Sequence, residues 1–320
     1  MAFPVAAHAM TLWVATNGVD TVAAPECGKL ATPCRSINKA LSLANNGDSI
    51  IVFPGRYGPD TEGTPPAPGC NCMINVNKSV TLTSRDGASE TIIDAGGAAA
   101  DAVAITAPNV KFGKRLKGFS LVNAGAAGLA VASGVTGAMI VGNQAGSNDV
   151  GFEIDGDGAD VDNNRAGGNG FSGFSVRGTG NELMGNLAAG NSLHGFAVFG
   201  SGQKLNMNIA IDNVVGFTIA DAATSITLMG NAALGNLGPG VEIAALAGTV
   251  SVTKGSIFGN DQGGANCGLL NHSPGTINAT MNFWGAMTGP GADPADDACT
   301  TGGAVTSVPF GKKEINPRSP

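Results

Sequence analysis

Asn164-Arg-Ala-Gly-Gly-Asn169-Gly-Phe-Ser-Gly173-Phe-Ser-Val176 is followed, one period later, by Asn186-Leu-Ala-Ala-Gly-Asn191-Ser-Leu-His-Gly195-Phe-Ala-Val198. The shared skeleton is Asn-x-Ala-x-x-Asn, then Gly-apolar-x-apolar. The asparagine half occurs five times, starting at Asn143, Asn164, Asn186, Asn208 and Asn231, at intervals of 21, 22, 22 and 23 residues. The glycine half follows each copy, as Gly151-Phe-Glu-Ile154, Gly173-Phe-Ser-Val176, Gly195-Phe-Ala-Val198, Gly216-Phe-Thr-Ile219 and Gly240-Val-Glu-Ile243. A short fixed period makes the chain a stack of like units rather than a conventional globule.

Aligned on the glycine, the first position holds Leu129, Phe152, Phe174, Phe196, Phe217 and Val241; the third holds Val131, Ile154, Val176, Val198, Ile219 and Ile243. Alternation along a strand puts both on one face. Every repeat is apolar there, so that face is the interior, and stacking builds a phenylalanine column. Ten residues past the glycine lies another apolar position, Val161, Leu183, Leu205 and Ile226. Gly156, Gly178 and Gly200 mark the corner between the two strands. A period of about 22 residues is too short for paired helices, and the Leu-x-x-Leu-x-Leu frame of leucine-rich repeats is absent. The remaining architecture is all-β: a single-stranded parallel β-helix with three short strands per coil, right-handed by the usual crossover rule. Asn suits the corners because it tolerates positive φ, and stacked amides can bond each other as a ladder. The alanine between each pair of asparagines is expected to point inward.

Outside the repeats the chain divides as follows. Residues 10–58 read as an N-terminal cap, 59–73 as a Pro- and Gly-rich inserted loop, 74–281 as coils and 282–320 as a C-terminal cap. Ile37, Ala40, Leu41 and Ala44 recur at helical spacing, and Asn45-Asn46-Gly47 ends the run. This amphipathic helix is expected to cover the open end of the solenoid. The end of the opening stretch, Ala7-His8-Ala9, has the small-x-small form of a signal-peptidase site, so residues 1–9 read as the remnant of a secretion signal.

The chain has 320 residues, 50 of them Gly, with 43% hydrophobic and 13% charged residues and a net charge of −7. The regular apolar pattern argues for a packed core despite the glycine. The negative balance disfavours nucleic acid and anionic membrane as partners. No apolar run is long enough for a membrane span. Six cysteines, an even number, favour disulfides in an oxidising, extracytoplasmic compartment. Fifteen pairings are open; Cys27 with Cys34 and Cys267 with Cys299 are the most economical, and Cys70-Asn-Cys72 would need a tight bend to bridge itself.

The stretch Cys27-Gly28…Pro33-Cys34-Arg-Ser-Ile37…Gly47-Asp48-Ser-Ile50…Pro54-Gly55-Arg-Tyr57 resembles the capping segment of secreted right-handed parallel β-helix proteins of the pectin-lyase-like superfamily. Asn282-Phe-Trp-Gly285…Gly289-Pro290, followed by Asp293-Pro294-Ala-Asp296, is similar to their C-terminal ending. The resemblance covers nearly the whole chain. It implies the fold but no single activity, since the superfamily holds lyases, hydrolases, epimerases and binders without catalysis.

The densest acidic run is Glu153-Ile-Asp155-Gly-Asp157-Gly-Ala-Asp160-Val-Asp162. Asp155, Asp157 and Asp160 are the candidate ligands for Ca2+, which wants several converging oxygens; the pectate lyases of the superfamily that the chain resembles use the same ion. Against this, Asp157, Asp160 and Asp162 fall at turn positions, where solvated carboxylates are the ordinary reading. Asp155 and Arg177 align on successive coils. They read as a surface ion pair or as candidate catalytic groups of a polysaccharide lyase, although arginine is a poor base because it holds its proton. Phe199 follows in the same outward column. Glu153, Asp155, Arg177 and Phe199 are the candidate ligand-binding residues, on a rigid sheet of the kind that forms long shallow clefts. His194 lacks the companions of a hydrolase motif and reads as a turn residue; His8 and His272 have no evident partners. Trp284 reads as a structural plug. The expected function is binding of polysaccharide along one sheet. A lyase or hydrolase of acidic polysaccharide, and a structural or adhesive surface protein, are the alternatives.

Overall fold

The computed structural model describes residues 9–20, 27–292 and 294–315. Three parallel sheets of twelve, ten and nine strands form the walls, and successive coils supply one strand to each. In one such coil Gln144–Gly146 belongs to the nine-stranded sheet and Val150–Ile154 to the ten-stranded sheet. Asp160–Asp162 then joins the twelve-stranded sheet, and Arg165–Gly167 starts the next coil. Residues 1–9, read as a signal remnant and including His8, fall almost wholly outside the described residues, as does Asp293.

The registers confirm the stacking. Phe152 pairs with Phe174, Phe174 with Phe196 and Phe196 with Phe217. Their ring centroids are 5.0, 4.8 and 4.8 Å apart, with planes inclined by 11°, 6° and 7°. The backbone spacing of neighbouring strands, about 4.8 Å, sets this contact. In these four coils one phenylalanine per coil therefore packs face to face along the tube.

Both asparagines of the repeat point inward and form two amide ladders. Asn164 donates to Asn186, and Asn186 to Asn208, at 3.1 and 2.9 Å. In the second ladder Asn169 donates to Asn191 and Asn191 to Asn213, each at 2.9 Å. Each side chain also satisfies a backbone carbonyl of the preceding coil, as Asn186 does for Val161 at 2.7 Å. The ladders thus bond corner carbonyls that would otherwise be buried without a partner. The intervening Ala145, Ala166, Ala188, Ala210 and Ala233 are buried beside the ladders. The second ladder ends at Asn260, whose amide donates to the buried Asp296 carboxylate at 2.8 Å. That aspartate belongs to the C-terminal ending singled out in the sequence.

The N-terminal helix spans Ile37–Leu43, with Ser36 Oγ accepting from Lys39 N and Ile37, Ala40 and Leu41 buried. It packs on the strands Thr11–Val14, Ser49–Val52 and Cys72–Val76. Residues 59–73, read as an inserted loop, contain a second short helix, Pro59–Glu62. Glu62 reaches back and accepts from Ile37 N and Asn38 N at 2.8 and 2.9 Å. Cys27 is bridged to Cys34, Cys70 to Cys72 and Cys267 to Cys299. Trp284 is fully buried in the core.

One inward position departs from the aligned repeat. Leu205 pairs with Leu228, not with Ile226. Ile226 is also buried, because the strand Ile226–Met229 is a residue longer than its neighbour Lys204–Asn206. The extra length enters at the preceding corner, where Ala222 and Ser225 adopt positive φ.

Candidate functional site

The outer face of the ten-stranded sheet collects the side chains of interest. Its middle outward column, read across the strands, runs Glu153, Ser175, Ala197, Thr218 and Glu242, each paired in register with the next. The residues just past the strand ends form a parallel column, in which Asp155, Arg177 and Phe199 follow one another. Ser175 and Ala197 are only 3% and 2% exposed, so the larger neighbours stand over them as walls. The result is a shallow trough with a floor of small residues.

Arg177 organises one end. Its guanidinium pairs with the Glu153 carboxylate and lies 3.5 Å from Asp155 Oδ1. Its Cζ sits 5.0 Å from the centroid of the Phe199 ring, which is 42% exposed. The structure therefore brings Glu153, Asp155, Arg177 and Phe199 together. The ion pairs are solvent-exposed and contribute about 0–1 kcal/mol each to stability; their larger effect is to fix the guanidinium plane over the ring. Asp101, two coils before Glu153, extends the acidic end. Burial pushes its carboxyl above the ordinary value, the Ala127 amide pulls it down, and Glu153 and Asp155 add to the rise. Ser175 Oγ is buried in the floor with no hydrogen-bond partner among the described residues.

The three carboxylates considered for calcium are not brought together. Asp155 faces Arg177 on the ten-stranded side. Asp157 turns at the corner and accepts from Thr179 N at 2.7 Å. Asp160 opens a strand of the twelve-stranded sheet and is exposed there. Strand alternation and the corner between two sheets send them to different surfaces. Among the described residues the one set of three ligand atoms within 4.8 Å of one another is Asp20, Cys27 and Cys34, and the two cysteines are bonded to each other. The acidic run thus does not fit a calcium site built from Asp155, Asp157 and Asp160.

Two histidines have partners that the sequence did not reveal. His194 opens the strand His194–Val198 rather than a turn, and its Nδ1 lies 2.8 Å from Thr218 Oγ1. Burial lowers its pKa, and Glu242 opposes that shift. His272 is held at both ring nitrogens, Nδ1 2.7 Å from Thr301 Oγ1 and Nε2 3.3 Å from Glu242 Oε1. Glu242 was legible as an outward residue of the fifth Gly-apolar-x-apolar copy, in the column of Glu153. His272 was not, because the coil joining Val241 to its partner Leu269 is longer than the repeat.

Residues 121–282, half of the chain, match the family model of the right-handed β-helix region. The chain belongs to that family. The solved structures similar to this β-helix include pectate lyase Pel9A, 21% identical, with a TM-score of 0.58 over 95% of this chain and 78% of the other. A rhamnogalacturonan lyase is 14% identical, with a TM-score of 0.58 over 96% and 89% of the two chains. The A-module of Azotobacter vinelandii mannuronan C-5 epimerase AlgE6 is 15% identical, with a TM-score of 0.51 over 77% and 69%. At such identities the likeness is one of fold. No curated protein matches this β-helix in sequence at a significant level.

Proposed function

We propose that this β-helix is an extracytoplasmic protein that binds a polysaccharide along the outer face of its ten-stranded sheet. The observation that carries the reading is the exposed Phe199 ring with the ion-paired Arg177 guanidinium next to it, its Cζ 5.0 Å from the ring centroid, which leaves the ring's other face for a ligand. An aromatic face offers an apolar platform to the C–H face of a pyranose. The guanidinium beside it presents a fan of N–H donors to hydroxyl or ring oxygens, and Glu153 and Asp155 supply acceptors. A concave, largely pre-formed strip with a few converging polar groups is the usual form of a binding site. Three disulfide bridges are consistent with an oxidising compartment.

Affinity electrophoresis through gels containing single glycans tests the reading. Wild-type protein is expected to be retarded by at least one glycan, and Phe199→Ala to lose at least about tenfold in affinity, in line with loss of a central aromatic contact. Unchanged mobility of Phe199→Ala in a gel that retards the wild type would move the site elsewhere. The second reading, a lyase of acidic polysaccharide, is favoured by the lyases among proteins of similar fold. It predicts ultraviolet absorbance from unsaturated products when polyuronates are incubated with the protein, and this absorbance is expected to be absent.

A further inference from the structure

Past Phe199 the same face carries a second group of polar side chains. Thr218, Glu242 and His272 come from three successive coils, and His194 from the coil before them. Taking the glycan-binding reading above as given, we infer that these four residues form a second saccharide subsite. The trough as a whole then takes an uncharged polysaccharide chain laid along the solenoid axis, rather than a polyuronate.

Geometry supports the extended ligand. The strands are spaced by about 4.8 Å, so Glu242 lies roughly 10 Å along the axis from Phe199 and about 19 Å from Glu153. One sugar stacked on the ring does not reach Glu242; a chain of sugars crossing the strands does. Between the two ends the column holds Ser175, Ala197 and Thr218, small side chains that do not project into the path of the chain.

The side chains of the second group suit hydroxyls. His194 commits Nδ1 to Thr218, which leaves Nε2 without a hydrogen-bond partner among the described residues. His272 commits Nε2 to Glu242 Oε1 and Nδ1 to Thr301, so its ring is fixed and the second Glu242 oxygen remains an acceptor. Unpaired donors and acceptors on a rigid frame are what a pyranose with adjacent hydroxyls would satisfy.

Charge disfavours the acidic alternative. Asp101, Glu153, Asp155 and Glu242 face this side of the sheet, against Arg177, whose guanidinium is already paired with two of them. The whole chain carries a net charge of −7. A polyuronate would meet like charge along the trough. The carboxylates do not converge on a three-ligand position from which a divalent cation would reverse that sign.

The experiment runs the wild type through gels of xylan, glucomannan and mixed-linkage β-glucan, and of polygalacturonate and alginate with and without calcium. Retardation by a neutral glycan and none by the polyuronates is expected. For the neutral glycan that binds, disaccharides to hexasaccharides are then titrated against Glu242→Gln, His272→Gln and Phe199→Ala. The Phe199 variant should weaken every length. The Glu242 and His272 variants should weaken the hexasaccharide by about tenfold and the disaccharide by less than about twofold. Retardation by polyuronates alone, or full hexasaccharide affinity in both the Glu242 and His272 variants, overturns the inference while leaving the binding face standing. Absence of retardation by every glycan overturns the binding reading itself, and this inference with it. Circular dichroism confirms that each variant keeps the wild-type fold.

Discussion

At Gly178 there is no room for a side chain. A Cβ there would stand 1.8 Å from the Gly156 carbonyl oxygen, and at Gly200 the same atom would stand 1.8 Å from the Gly178 oxygen. The glycines are stacked corner on corner, so a methyl group at one coil forces the coil beneath it away. Gly180 provides the contrast: it has positive φ (68°) but open space around its missing Cβ. Gly180→Ala should cost about 1 kcal/mol, the ordinary penalty of a left-handed residue. Gly178→Ala should cost about 3 kcal/mol or more, as an overpacked site that only backbone movement relieves. Thermal unfolding of the two variants beside the wild type distinguishes the cases; equal losses would mean the corner is loose. These glycines were legible because they recur in phase, as were the paired asparagines and the alanine between them. The site was legible only in part. Glu153, Asp155, Arg177 and Phe199 share one strip because strand alternation is rigorous, and the sequence expresses that alternation directly. His194 reaches Thr218 and His272 reaches Glu242 through contacts between coils of unequal length, which a single period does not encode.

At the scale of elements, the two short N-terminal helices depend on each other. The first helix has no acidic residue in its first turn. The carboxylate that serves its exposed N–H groups comes from Glu62, at the end of the second helix. This pairing is invisible to local capping rules, which is why residues 59–73 read as a plain insertion. Burial raises the Glu62 pKa from 4.5 to about 7, while the bonds from Asn38 and Ile37 lower it and Asp20 raises it further. Between pH 4.5 and 7 the folded state therefore binds more protons than the unfolded chain. The linked stability is fully present below pH 4.5 and is lost as the pH rises through 7. By linkage it amounts to roughly 3 kcal/mol. Wild-type protein should gain in unfolding midpoint relative to Glu62→Gln as the pH falls through this window. A constant difference between the two proteins from pH 8 to pH 4 would show that Glu62 is not the titrating group.

At the scale of the molecule, each coil meets only its two neighbours, so the stack should tolerate loss of a whole unit but not of a fraction. Phe174 and Phe196 occupy equivalent positions. Deleting residues 174–195 joins Gly173 to Phe196 in phase. Phe152 then stacks on Phe196, Asn164 meets Asn208, Asn169 meets Asn213 and Gly200 settles over Gly156. All inward columns survive, one unit shorter. Deleting residues 174–184 removes half a turn instead, and turns every later strand out of register with the sheet below. The first deletion is expected to give a soluble protein with a strand-rich circular dichroism spectrum and a cooperative melt, the second an aggregating chain. The whole-coil deletion also removes Arg177 and His194 and sets Phe199 directly beside Asp155, so glycan retardation should disappear while the fold persists. Equal failure of both deletions would sink the coil-by-coil account of stability. Retained glycan binding after loss of the Arg177 coil would show that the aromatic ring does not need the guanidinium above it.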